Sequence, residues 1–195
     1  MVGMNKILLT APALLVAYGI VRLIDGIDGS HGPGLAWTVG HMFMLLGFLL
    51  YAVVLVHLRG LVRRPRWLAS IAMTAGLIGV LAFVRVIVID LIVGFRAADR
   101  PEMSRIGDEY NRWPGNLGIY DLAYTIGPVL FLLGLLTLAI LLVRAHRLPV
   151  WSPVLLVLGF VVITVNLDLM PLGGALLLAA IVPLTRTVRP LVNAG

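Results

Sequence analysis

No cysteine occurs among the 195 residues, which excludes disulfides, thiolate nucleophiles and iron–sulfur ligation by thiolates. Charge is scarce as well. Asp, Glu, Lys and Arg make up 12% of the chain, roughly half the share of a soluble domain. Lysine is nearly missing, with Lys6 alone against fourteen arginines. There is no phosphate-binding glycine loop, no H-E-x-x-H and no G-x-S-x-G, so the soluble-enzyme chemistries carried by those motifs have no footing here.

What the chain does have is apolar length. It is 61% hydrophobic with a mean hydropathy of +1.05. Such a chain cannot cover itself with polar surface, and lipid must be its solvent. Apolar runs near the ~20 residues of a bilayer crossing occupy about residues 7–24, 37–58, 67–95, 122–143, 150–165 and 172–188. The expected fold is therefore all-α: a single polytopic bundle of six transmembrane helices over residues 1–195. The first run ends in Arg22-Leu-Ile-Asp25 rather than in small residues, which reads as a retained helix and not as a cleaved leader. The last two runs are joined only by Asn166-Leu-Asp-Leu-Met-Pro171 and are expected to form a hairpin.

The net charge of +6 does not indicate nucleic acid, because the cations sit between apolar runs. Lys6, Arg59, Arg63, Arg64, Arg66, Arg144, Arg147, Arg186 and Arg189 all fall on one side of a six-span chain, which the positive-inside rule makes the cytoplasm. All nine acids fall on or toward the other side. The expected location is the plasma (inner) membrane, with both termini cytoplasmic and membrane lipids as neighbours.

One connection is long, Arg96 to Tyr120 on the outer side. Pro101, Gly107, Pro114, Gly115 and Gly118 read as breakers in it, and its Tyr110 and Trp113 suggest a loop packed over the bundle as a lid. A faint repeat is also visible. Met44-Leu-Leu-Gly-Phe-Leu-Leu resembles Phe131-Leu-Leu-Gly-Leu-Leu, and each is followed by a basic turn and Pro-x-Trp. That would pair spans two–three with four–five as parallel repeats, an arrangement some transporters use. Gly76, Gly79, Gly173 and Gly174 read as close helix packing.

Ionisable groups at membrane depth are costly and mark function by default. Here they collect at the outer third of the bundle. Tyr18, Arg22 and Asp25 share one face at spacings of four and three, so Arg22 and Asp25 can pair. His41 enters span two from outside. Arg85 and Asp90 lie in the outer part of span three, and their spacing of five predicts different faces and different partners. Asp121 opens span four between Tyr120 and Tyr124, and Asn166 and Asp168 form the hairpin tip. These residues describe a pocket. Asp168, Asp121, Asp90, Arg85 and His41 are its candidate catalytic groups. Tyr18, Arg22, Asp25, Tyr120, Tyr124 and Asn166 are its candidate ligand-binding groups, although Asn166 and Asp168 are equally suited to capping helix ends.

Poorly solvated carboxylates act as general acids, and aromatic faces stabilise cations. The pocket therefore suits acid catalysis on a lipophilic, isoprenoid- or lipid-like substrate, as in a cyclase-type reaction. Acids and aromatics in a compact bundle resemble the small integral-membrane terpene cyclases in general plan, with no residue-by-residue match. A small oligomeric, proton-coupled transporter is the second expectation, and a non-catalytic accessory or immunity subunit the third. No cofactor is indicated. Asp25, Asp28 and His31 are weak metal candidates, because their spacing matches no calcium loop and a specific site needs three or four convergent ligands. Haem fits poorly, since His41 and His57 point about 160° apart around one helix and His31 and His146 lie in or near loops.

Overall fold

The computed structural model describes residues 2–27, 29, 31–112 and 122–186. Helices follow one another along the chain: α1 (Val2–Asp25), α2 (Leu35–Leu61), α3 (Arg66–Arg96), α4 (Arg100–Arg112), α5 (Gly127–Arg144), α6 (Trp151–Val165) and α7 (Met170–Arg186). A π-helical turn, Leu122–Ile126, leads into α5, and a 3-10 turn, Leu167–Leu169, leads into α7. No strand occurs among the described residues. Five segments are long and apolar enough to cross a membrane: Gly3–Asp25, Leu35–Leu61, Arg66–Arg96, Ala123–Arg144 and Leu167–Arg186. The expected fifth span is the shorter apolar helix α6, with 15 residues, about 22 Å at 1.5 Å per residue.

Around the bundle the neighbours run α6, α7, α1, α2, α3, α5, and a looser α5–α6 contact closes the ring. The expected hairpin is α6–α7. The sequence repeat does not become a packing repeat, since α2 packs closely on α3 while α5 and α6 touch only loosely. Leucine-rich text recurs in both places, but α5 spends its glycine face on α3. A Cβ on Gly134 would lie 2.5 Å from the Ala72 carbonyl oxygen and 2.5 Å from the Gly76 nitrogen, and one on Gly79 would lie 2.5 Å from the Phe131 nitrogen. In lipid, helices associate by such backbone approach rather than by a hydrophobic drive. Gly159 and Gly173 let α6 and α7 meet in the same way, each facing the other's backbone.

The core runs the length of the bundle from Leu8 and Leu184 to Ile87 and Leu91. An aromatic layer crosses its middle. Phe48 stacks on Phe83 with ring centroids 4.1 Å apart, and Phe131 meets Phe48, Tyr51, Phe83 and Phe160. One end of the bundle gathers Arg63, Arg64, Arg66 and Arg147 around a wide cleft beside Trp67. Asp25, Asp90, Asp108 and Asp168 gather at the other.

The segment 96–120 was expected as one loop, but residues 100–112 of it are helix α4. Pro101 is no breaker there, because it stands in the first turn, where its missing N–H has no intrahelical partner to lose. Asp99 accepts a hydrogen bond from the Glu102 amide (2.9 Å), and the Glu102 carboxylate accepts one from the Ala98 amide (2.8 Å). The first is an N-cap bond, and the second is a variant of the capping box in which the carboxylate reaches the amide one residue before the N-cap. Met103 and Ile106 on the inner face of α4 bury against Val93, with Trp37, Ile89 and Tyr110 around them, and the Arg96 guanidinium lies over the Tyr110 ring at 5.6 Å. The polar Arg105–Glu102 and Arg105–Glu109 pairs are solvent-facing and contribute little.

Candidate functional site

Helix α4 folds across the acid-rich end and encloses a cavity of about 370 Å³, within the range of small-molecule sites. Its floor and one wall come from α3, through Arg85, Val86, Ile89, Asp90 and Val93. These positions span about 140° of the helix surface, with Arg85 at one edge and Asp90 at the other. The two residues were expected on different faces. Instead they flank a single concave surface wide enough to hold both. Arg100, Met103, Ser104, Gly107 and Asp108 of α4 form the roof, and Arg22, His31, Trp37 and Tyr124 complete the lining.

Asp90 is held at the boundary between this cavity and the packed interior. On its inner side, His41 Nε2 lies 3.8 Å from Asp90 Oδ2. His41 itself is 5% exposed, tilted on Trp37 at a centroid separation of 4.1 Å and met edge-on by Tyr18 at 5.5 Å. Its Nδ1 is 2.8 Å from the Trp37 carbonyl oxygen. A carbonyl only accepts, so Nδ1 carries a hydrogen, and in the neutral ring Nε2 turns a lone pair toward Asp90. Trp37 adds a second brace by donating its indole N–H to the Asp90 carbonyl oxygen at 3.0 Å. At 3.8 Å the two groups are within ion-pair range and beyond hydrogen-bond distance, and Asp90 is the member that reaches the cavity.

Arg22 does not pair with Asp25 as its helical spacing suggests. Its Nε donates to Asp168 Oδ1 at 3.0 Å. The reason is tertiary: Gly19 lets the α6–α7 tip settle against α1, where a Cβ would strike Pro171 and Met170, and Asp168 is carried to the level of Arg22. Asp25 turns to His31 instead, at 3.5 Å, and the other ring nitrogen of His31 lies 3.6 Å from Asp168. Asp168, expected as a proton donor, lies in an ion pair with Arg22 and outside the cavity lining. Asn166 is exposed and does not join the site, because its side chain caps the turn by accepting the Asp168 amide hydrogen at 2.9 Å.

The expected pocket therefore divides. Arg22, His31, Arg85, Asp90 and Tyr124 face the cavity, while Tyr18, Asp25 and His41 lie around a narrow hollow behind it. Tyr120, Asp121 and Asp28 lie outside the described residues, as do Trp113 and residues 114–119. Among the described residues no three His, Asp or Glu side chains converge as a metal would require. The expectation from residue types missed Trp37 and the whole α4 lining. Both had signals. Trp37 and His41 are four apart on one helix face, and Asp99-Arg-Pro-Glu102 is the capping pattern that opens a helix, with Met103, Ile106 and Tyr110 at helical spacing behind it.

No protein-family model matches this chain, and no curated protein or solved structure does.

Proposed function

We propose that this chain is a membrane-embedded protein that binds a lipid-like amphiphile in the cavity beneath α4 and transfers a proton to it from Asp90. The observation that carries this reading is the position of Asp90. Its carboxyl opens on a cavity with an apolar side, with His41 Nε2 3.8 Å behind it. Asp90 is the catalytic residue in this reading, and His41 and Trp37 are positioning residues. Three arginines in the lining disfavour a developing carbocation, so the proton goes to a bridging oxygen of the ligand head as that oxygen's bond to the head breaks, and water takes the vacated position and releases a proton in turn. The aromatic layer of Phe48, Phe83 and Phe131 lies about 10 Å below His41, seven residues along α2. It argues against a polar route through the bundle and hence against the transporter alternative.

The test is conversion. Purified protein is incubated with a lipid extract of the host membrane, and the amphiphiles are followed by mass spectrometry. The wild type is expected to bind one class and convert it, and Asp90→Asn to bind the same class with conversion reduced by at least about a hundredfold, the scale of general acid catalysis. Conversion by Asp90→Asn at the wild-type rate, or no binding by the wild type, would end the proposal.

The reading includes six crossings of the plasma membrane with α6 as the short one and both termini cytoplasmic, supported by the gathering of arginines at one end and acids at the other. The absence of cysteine makes this directly measurable. Single cysteines placed at Arg63 and Ala145 are expected to react with an impermeant maleimide only after the cells are opened, and one at Glu102 in intact cells. Labelling of all three from the same side would refute the orientation.

A further inference from the structure

Arg85 is a cation at membrane depth with a buried guanidinium nitrogen that no described residue answers. It lies nineteen residues beyond Arg66 in α3, about 28 Å along the axis, so its guanidinium enters the cavity near the edge of a ~30 Å hydrocarbon layer. Nη1 of Arg85 is buried and has no hydrogen-bond partner among the described residues. The described acids in and beside the lining each have an interaction of their own. Asp90 faces His41, Asp168 holds Arg22, and Asp108 has an interaction of its own. A guanidinium at membrane depth without an anion is expensive, which marks it as a functional group.

Two further guanidinium groups face the same space from other helices, Arg22 from α1 and Arg100 from α4. Arg22 has one nitrogen committed to Asp168, and Arg100 stands exposed at the roof. Cations converging from three helices suit an anion that accepts from several directions at once. A carboxylate offers two oxygens in one plane, whereas a phosphate offers three or more around a tetrahedron and is a preferred partner of arginine. The apolar side of the cavity, Val86, Ile89, Val93 and Met103, is suited to the start of a hydrocarbon chain. We infer that the ligand of this cavity is a phosphate-bearing amphiphile whose head is held by Arg85, with Arg100 and Arg22 beside it. This rests on the cavity being the ligand site, as proposed above, and it puts the phosphate oxygens within the same cavity that Asp90 lines.

The experiment compares tail-matched probes on the full-length protein in detergent, read by native mass spectrometry and by thermal shift. The probes are a long-chain alkyl phosphate, the matched carboxylate, the matched alcohol, the matched trimethylammonium and inorganic phosphate. The alkyl phosphate is expected to bind at least about tenfold more tightly than each of the others, the step that one charge-assisted contact provides. Arg85→Gln is expected to abolish that preference, Arg85→Lys to keep part of it, and Arg100→Gln to reduce it. Arg100 is exposed, so its variant tests the head site even if Arg85→Gln fails to fold. Equal binding of phosphate and alcohol, or a preference for the carboxylate or the ammonium probe, would overturn the phosphate head while leaving the cavity a ligand site. Binding of inorganic phosphate as tightly as the alkyl phosphate would keep the arginine site and overturn the amphiphile. Binding of none would overturn both, and a phosphate preference that survives Arg85→Gln and Arg100→Gln unchanged would place the head elsewhere.

Discussion

Gly134→Val should leave little folded protein. The glycine faces α3 so closely that a Cβ would sit 2.5 Å from both the Ala72 carbonyl oxygen and the Gly76 nitrogen. Those are backbone atoms of a regular helix, and no side-chain rotation can move them. The α3–α5 interface would have to open by about an ångström to restore ordinary contact. That opening would strip packing from Phe131, Leu135 and Leu138, all fully buried. The cost is expected at or above the ~3 kcal/mol upper end of overpacking, a large share of a marginal folding free energy. The measurements are the melting temperature and the monodisperse fraction in detergent. Gly60→Ala is the control. A Cβ there meets nothing within 4 Å, and replacing glycine inside a helix gains about 0.5–1 kcal/mol. If Gly134→Val melts with Gly60→Ala, the interface is not the close backbone contact described.

The second large effect concerns the site and leaves the fold alone. Gly107 lies in the roof helix α4 and lines the cavity, yet a Cβ on it meets nothing within 4 Å. Gly107→Trp therefore inserts an indole into the cavity from an unstrained helical position. A tryptophan side chain occupies a large part of a 370 Å³ space, so bound amphiphile is expected to fall by at least about a hundredfold, as sites that lose their volume do. The melting temperature is expected to stay within a few degrees of wild type, because helix propensity improves at this residue. Asp90→Asn should behave in the opposite way, retaining the amphiphile and losing its conversion. A Gly107→Trp protein that binds and converts as the wild type does would show that the chemistry lies outside this cavity.

Much of this organisation was legible without coordinates, and the legible part has a common cause. Bilayer crossing requires long apolar runs, and glycines mark where helices meet in lipid. These are local patterns, so the helical bundle, the five long apolar helices and the tight α6–α7 hairpin could be read from spacing alone. The close approach at Gly76, Gly79, Gly173 and Gly174 was legible for the same reason. Helix α4 was legible too, through its capping box and its apolar face, but Pro101 and Gly107 outweighed those signals as apparent breakers.

The partners of the charged side chains were not legible. Helical spacing offered Asp25 to Arg22, whereas the low seat of the α6–α7 tip on Gly19 delivered Asp168, 146 residues away. Spacing of five separated Arg85 from Asp90, whereas the folding of α4 over α3 made one cavity of the whole arc between them. Periodicity says which side of a helix a residue occupies, but not which neighbour arrives there. The amino-acid sequence by itself determined that this chain is an all-helical bundle suited to lipid, with its acids massed at one end. Only the tertiary structure decided that Asp168 pairs with Arg22, that Asp90 faces the cavity from α3 with His41 behind it, and that Arg85 enters that cavity with no hydrogen-bond partner for Nη1 among the described residues. Those assignments depend on distances between helices remote in the chain, which no local pattern encodes.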